Sequence, residues 1–167
     1  MNADDTIVAP ATPLGRSALA IVRIDGPSSV AILSSLAVVP EQRVATHTEL
    51  RHDGELLDDC VVTRFVAPHS FTGNDLVEIT LHGNPLLVEQ VIAACVALGA
   101  RMAEPGEFSE RAVLNGKLDL VQAESIADLI NARTALQAKL SLSNLEGTLS
   151  RKAAAIREAL LDRKSVV

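Results

Sequence analysis

At 167 residues, with 48% hydrophobic content supplied almost wholly by Ala, Leu, Val and Ile, the chain can bury a substantial core. Three Phe and no Trp or Tyr exclude a grip on nucleic acid built from aromatic stacking, and a net charge of -6 excludes a broad electrostatic hold on phosphates. A role with nucleic acid therefore requires another region or a partner.

The opening "MNADDTIVAPATPLGR" carries acids where a signal peptide has lysines, and no apolar run is long enough to span a bilayer, so a cytoplasmic protein without a membrane segment is expected. "DTIVAPATP" and "SALAIVRI" predict two strands joined by an exposed loop around Pro13, Gly15 and Arg16. Gly26 and Pro27 stop the second strand, and Ser28 or Ser29 can cap a helix over "SVAILSSLAVV". Residues 41–53 are mixed in character. A strand is predicted at Cys60–Val66, and another in "NDLVEITLHGN", where Leu76, Glu78 and Thr80 alternate with Val77, Ile79 and Leu81. That alternation implies a polar side facing water or a ligand.

Pro85 suits the first turn of a helix whose buried face is read as Leu86, Val88, Val91, Ile92, Cys95 and Leu98, with Gly99 ending it. "ARMAE" is a short last strand, Pro105 and Gly106 break it, and "EFSERAVL" makes a short helix that Asn115 and Gly116 terminate. Glu107 to Arg111 has the spacing of a stabilising helical pair. From Leu118 onward the chain reads as long helix. Asp119 and Gln122 form a capping box, Ala123, Ile126, Ala127 and Ile130 recur at helical spacing, and Gly147 marks a kink or hinge. Such a stripe, from Leu120 to about Leu161, must find a partner, so dimers or mixed oligomers are expected. Cys60 and Cys95, without a CxxC pair or a nearby His run, read as small buried hydrophobes, and no metal site is expected at His82.

Three stretches, "DTIVAPATPLGRSALAIVRIDGP", "SFTGNDLVEITLHGN" and "PGEFSERAVLNGKLDLVQAESIADLI", closely resemble, in order and spacing, the N-terminal part of the MnmE (TrmE) family of tRNA modification GTPases. The resemblance covers nearly the whole chain. It implies an α+β fold, with residues 1–117 as a tetrahydrofolate-binding, dimerising domain resembling folate-dependent aminomethyltransferases and residues 118–167 as the beginning of a helical domain. It further implies work with the partner MnmG, installing a carboxymethylaminomethyl-type group on the wobble uridine of tRNA with 5-formyltetrahydrofolate as the one-carbon source. The family's GTPase domain, with its GTP, magnesium and potassium, is inserted within the helical domain.

The sequence departs from that pattern in places. A P-loop needs GxxxxGK followed by Ser or Thr, but the only Gly-Lys is Gly116-Lys117, preceded by Arg111 at the first glycine position and followed by Leu118. GTP hydrolysis by that mechanism is not expected of this chain, and the ending "DRKSVV" reads as a stop within a helix, so an N-terminal fragment or truncated form is expected. Asn74 and Asn84 stand where the family more often shows an acid and a glycine.

Three charged residues carry the site expectation. Glu78, central in its strand, is either an ordinary exposed glutamate or an acceptor for the paired N–H donors of a pterin edge. Arg23, among aliphatics, either snorkels, pairs with an acid such as Asp25, or meets a ligand. Lys117, after the Asn115-Gly116 turn, is either a solvated lysine at a helix boundary or is presented to an anion. The resemblance implies that all three contact folate. Phe71 and Phe108 read as core residues able to flank a pterin, and Arg16 as able to serve the folate tail in a partner subunit. With no nucleophile beside a base, an independent transferase is disfavoured, and the remaining alternative is an assembly module with a vestigial folate site.

Overall fold

The structure, a computed structural model, describes residues 5–164; the acidic start at 1–4 and the end at 165–167 lie outside it. The chain divides into two compact units, the first reaching Asn115 and the second beginning at Gly116.

In the first unit, β1 (Ile7–Pro10), β2 (Leu19–Asp25), β3 (Thr46–His52), β4 (Glu55–Phe65), β5 (Leu76–His82) and β6 (Arg101–Met102) form one sheet in the order β3-β4-β5-β2-β1-β6. Each neighbouring pair is antiparallel except β1 and β6, which are parallel because α2 crosses between β5 and β6. Helices α1 (Ser29–Leu36) and α2 (Pro85–Ala97) cover one face. There Val22, Ile24, Val62, Val77, Ile79 and Leu81 meet Ile32, Leu33, Val88 and Val91 in the core. The period-2 alternation read in β5 is the cause: Val77, Ile79 and Leu81 point inward, so Glu78 and Thr80 point away. The architecture is α+β with a mixed sheet.

Three local expectations are corrected. The mixed segment at 41–53 contains β3, paired with β4 through a hairpin in which Asp53 and Gly54 take positive φ values of 49° and 84°. β3 is an edge strand with only Leu50 fully buried, which is why its hydrophobic signal is faint. β4 accordingly begins at Glu55, ahead of the expected strand at Cys60. On α2, Leu86 is 69% exposed while Ala94 is buried, and Asn84 caps the helix, its side chain accepting from the Leu86 N–H.

The last element of the first unit, α3 (Glu107–Leu114), has the bounds that its sequence predicts. The second unit contains α4 (Leu120–Asn131), α5 (Ala135–Leu145) and α6 (Thr148–Lys164). Asp119 and Gln122 form the expected capping box, and Gly147, at φ 81°, separates α5 from α6. A second break at 132–134 was not expected; it is made by Thr134, which caps α5 in a capping box with Gln137. The stripe on α4 is also rotated. Ile130 is 78% exposed and Ala127 is exposed, while Ser125 is buried where α4 packs on α5, with Gln122 Nε2 donating to the Leu145 carbonyl at 2.8 Å. Among the described residues no helix is long and apolar enough to cross a membrane.

Candidate ligand-binding site

The face of the sheet opposite α1 and α2 gathers the charged residues. The strand registers align Ala9, Arg23, Glu78 and Thr63 in one row across β1, β2, β5 and β4. Arg23 Nε donates to Glu78 Oε1 at 3.1 Å and Nη2 to the same oxygen at 2.5 Å. Of the alternatives read for Arg23, the structure shows pairing with an acid, and that acid is Glu78 across the sheet, where Asp25 is the example the sequence offers. Both side chains keep about a quarter of their surface, 23% and 25%.

Two rings flank the guanidinium. Its carbon lies 5.3 Å from the Phe71 ring centre and 5.5 Å from that of Phe108, within cation–π range. Phe71 comes from the β4–β5 loop and Phe108 from the first turn of α3. Neither joins the core, which corrects the reading of both as core residues. Phe71 is 36% exposed.

Asp25, two residues beyond Arg23 on β2, is fully buried beside this group. Its Oδ1 accepts from Arg111 Nη1 and from Asn74 Nδ2, both at 3.0 Å, and its Oδ2 accepts from the Thr72 hydroxyl. Arg111 Nη2 donates to Glu107 Oε1 at 3.0 Å, so the expected helical pair is present, but as part of a buried chain. Arg101 continues it, donating to both Glu107 oxygens at 2.9 and 2.7 Å and through Nε to Asp5 at 2.9 Å. These bonds from Arg101, joined by the Glu104 N–H and Arg111 and opposed by burial, hold the Glu107 carboxyl down at about 2. Sequence reasoning gave Asp25 only as a neighbour of Arg23 and did not find Thr72 or Arg101.

The other singled-out residues are on other elements or at other positions of these strands. His82 Nδ1 is 2.8 Å from Asp58 Oδ1, and that hydrogen bond, with the carboxylate's charge, raises the imidazole pKa above its usual 6.5. Among the described residues no group of three or more His, Cys, Asp or Glu side chains converges as metal ligands would. Cys60 and Cys95 are buried as expected, and desolvation pushes both thiols up to about 12, far from a reactive thiolate. Arg16 is exposed in the β1–β2 loop. Lys117 belongs to the second unit, where it is exposed, follows Gly116 at φ 67° and precedes the capping Asp119.

Chemically, the Arg23–Glu78 group combines an acceptor for paired N–H donors, a donor fork and two flat apolar surfaces. It suits binding and orienting a planar polar heterocycle, and it contains no nucleophile.

Comparison with known proteins agrees in outline. Residues 6–117 match the family described as "GTP-binding protein TrmE N-terminus", and residues 120–167 match "MnmE helical domain". The chain is similar to the tRNA modification GTPase MnmE of Xanthomonas campestris pv. campestris (strain B100), at 50% identity over 96% of this chain. It is 48% identical over 94% of its length to the protein of that name from Legionella pneumophila (strain Corby), and 44% identical over 98% to the one from Azoarcus sp. (strain BH72). The chain spans about a third of these relatives, 36% of each.

Proposed function

The chain belongs to the MnmE family of tRNA modification GTPases, and from that premise we propose that it binds 5-formyltetrahydrofolate through Arg23, Glu78 and Lys117. The single observation that carries the reading is the Arg23–Glu78 pair, with the guanidinium flanked by Phe71 and Phe108, on strands whose other face is aliphatic core. A reduced folate offers a pterin edge of N–H and amino donors, which a carboxylate accepts in pairs, and a flat ring suited to the two phenyl faces. Its glutamate tail carries carboxylates that suit Lys117, which is retained on the strength of the family motif "NGK".

In this reading the folate supplies the one-carbon unit, and the residues here bind and orient it. The proposal extends to the family's wider setting: a homodimer formed through the first unit, which is taken to resemble folate-dependent aminomethyltransferases, and cooperation with MnmG on the wobble uridine of tRNA in the cytoplasm. The GTPase activity in the relatives' name is not assigned to this sequence, in which no P-loop motif occurs.

Calorimetric titration with 5-formyltetrahydrofolate tests the assignment. Saturable heat from the wild-type chain that is lost in Glu78→Ala supports folate binding. Absence of heat at high ligand concentration favours a pure assembly module with a vestigial site.

A further inference from the structure

We propose that Asp25 and Thr72 are positioning residues that, with Arg111, set the two aromatic walls around Arg23; the inference rests on the reading of Arg23 and Glu78 as ligand contacts. Phe71 and Phe108 come from segments far apart in sequence, and neither sits in the apolar core. The segments that carry them are tied to β2 by polar groups. Asp25 supplies the common point, because β-strand alternation puts its carboxylate on the same face of β2 as Arg23.

That buried carboxylate is shared by both ring-bearing segments. Thr72, immediately after Phe71, donates its hydroxyl to Asp25, and Asn74 donates to the other oxygen. Arg111, one helical turn after Phe108, donates to Asp25 Oδ1 and to the Asp5 carbonyl at 2.9 Å. Asn115, past the end of α3, closes the link by donating to the Thr72 carbonyl at 2.7 Å and to Asn74 Oδ1 at 3.0 Å. Glu107 holds the other guanidinium nitrogen of Arg111 and is itself held by Arg101 of β6, so α3 is tied to the sheet at a second point. Hydrogen bonds are directional where apolar contacts are not, so this hub specifies ring orientation as well as attachment.

The test reads Arg23 directly. The Nε–H resonance of Arg23, followed by NMR in the whole chain, reports its ion pair and the nearby ring faces. In Thr72→Val, which keeps the buried volume but removes the donor, that resonance should move toward the position of a solvated arginine. Affinity for 5-formyltetrahydrofolate should fall about tenfold in the same variant, as expected for loss of one anchoring bond. Thr72→Ser, which restores the hydroxyl, should recover both, and Val88→Ala, a cavity in the core on the other face, should leave the Arg23 resonance in place. Asp25→Asn should act as Thr72→Val does; if it fails to fold, Thr72→Val decides alone. An unmoved Arg23 resonance in folded Thr72→Val overturns the proposal, as does a Val88→Ala shift of equal size. A wild-type chain that binds no folate defeats the functional reading instead, and the resonance still decides whether Asp25 and Thr72 set the rings.

Discussion

Arg23 and Glu78 stand directly opposite each other in the β2–β5 register, joined by an ion pair whose side chains remain 23% and 25% exposed. Opposite charges in facing positions of an antiparallel pair attract, but partial solvation limits the gain. A double-mutant cycle of Arg23→Ala and Glu78→Ala, read by urea unfolding, should give a coupling of about 0.5–1 kcal/mol. A coupling above about 3 kcal/mol, the range for breaking fully buried pairs, would show instead that the pair holds the sheet together.

Glu107 differs because its surroundings are closed. Hydrogen bonds from Arg101, then from the Glu104 N–H and Arg111, outweigh burial and lower its carboxyl from 4.5 to about 2. The folded state thus binds this proton less readily than the unfolded chain. The associated stabilisation is complete above pH 4.5 and is lost as pH falls toward about 2, and in magnitude it is on the order of 3 kcal/mol. Comparing urea midpoints of wild type and Glu107→Gln at pH 7 and pH 3 should show the gap narrowing in acid. A gap that stays constant would mean that the charge of Glu107 contributes nothing.

Gly83 is required by space. A Cβ built there would lie 2.5 Å from the Ser17 carbonyl oxygen and 2.8 Å from its carbon, both backbone atoms that cannot turn aside. The Ser17 N–H donates to the Gly83 carbonyl at 3.0 Å, so the two backbones are held in contact. Gly83→Ala should cost about 1–3 kcal/mol of unfolding free energy by overpacking, with the loop between β1 and β2 displaced. An unchanged denaturation midpoint would rule out this close approach.

Lys117 tests the folate reading from the second unit. If its ammonium meets a carboxylate of the ligand, Lys117→Ala should weaken 5-formyltetrahydrofolate binding by roughly 1.5–3 kcal/mol, with little change in the thermal midpoint of an exposed position. Lys117→Arg should recover only part of the loss, since a planar fork replaces a compact ammonium. Wild-type affinity in the alanine variant removes Lys117 from the site.

What the sequence determined by itself was local. Alternation in "DLVEITL" assigns Val77, Ile79 and Leu81 to the core and leaves Glu78 outside, because side chains on a strand have a period of two whatever the strand pairs with. The bounds of α3 and the capping box at Asp119 follow equally from neighbouring residues. Burial of particular helix positions did not, since exposure of Leu86 and Ile130 depends on what each helix packs against. The site's connections were the least legible part. From sequence alone Asp25 is the nearest acid to Arg23, yet strand alternation sets the two side by side along one face, each turned toward a different neighbour. Cross-strand register brings Glu78 to Arg23 from 55 residues away, and packing of α3 brings Arg111 to Asp25 from 86. Register and packing are settled by the whole buried face at once, and only the folded sheet decides which charges meet.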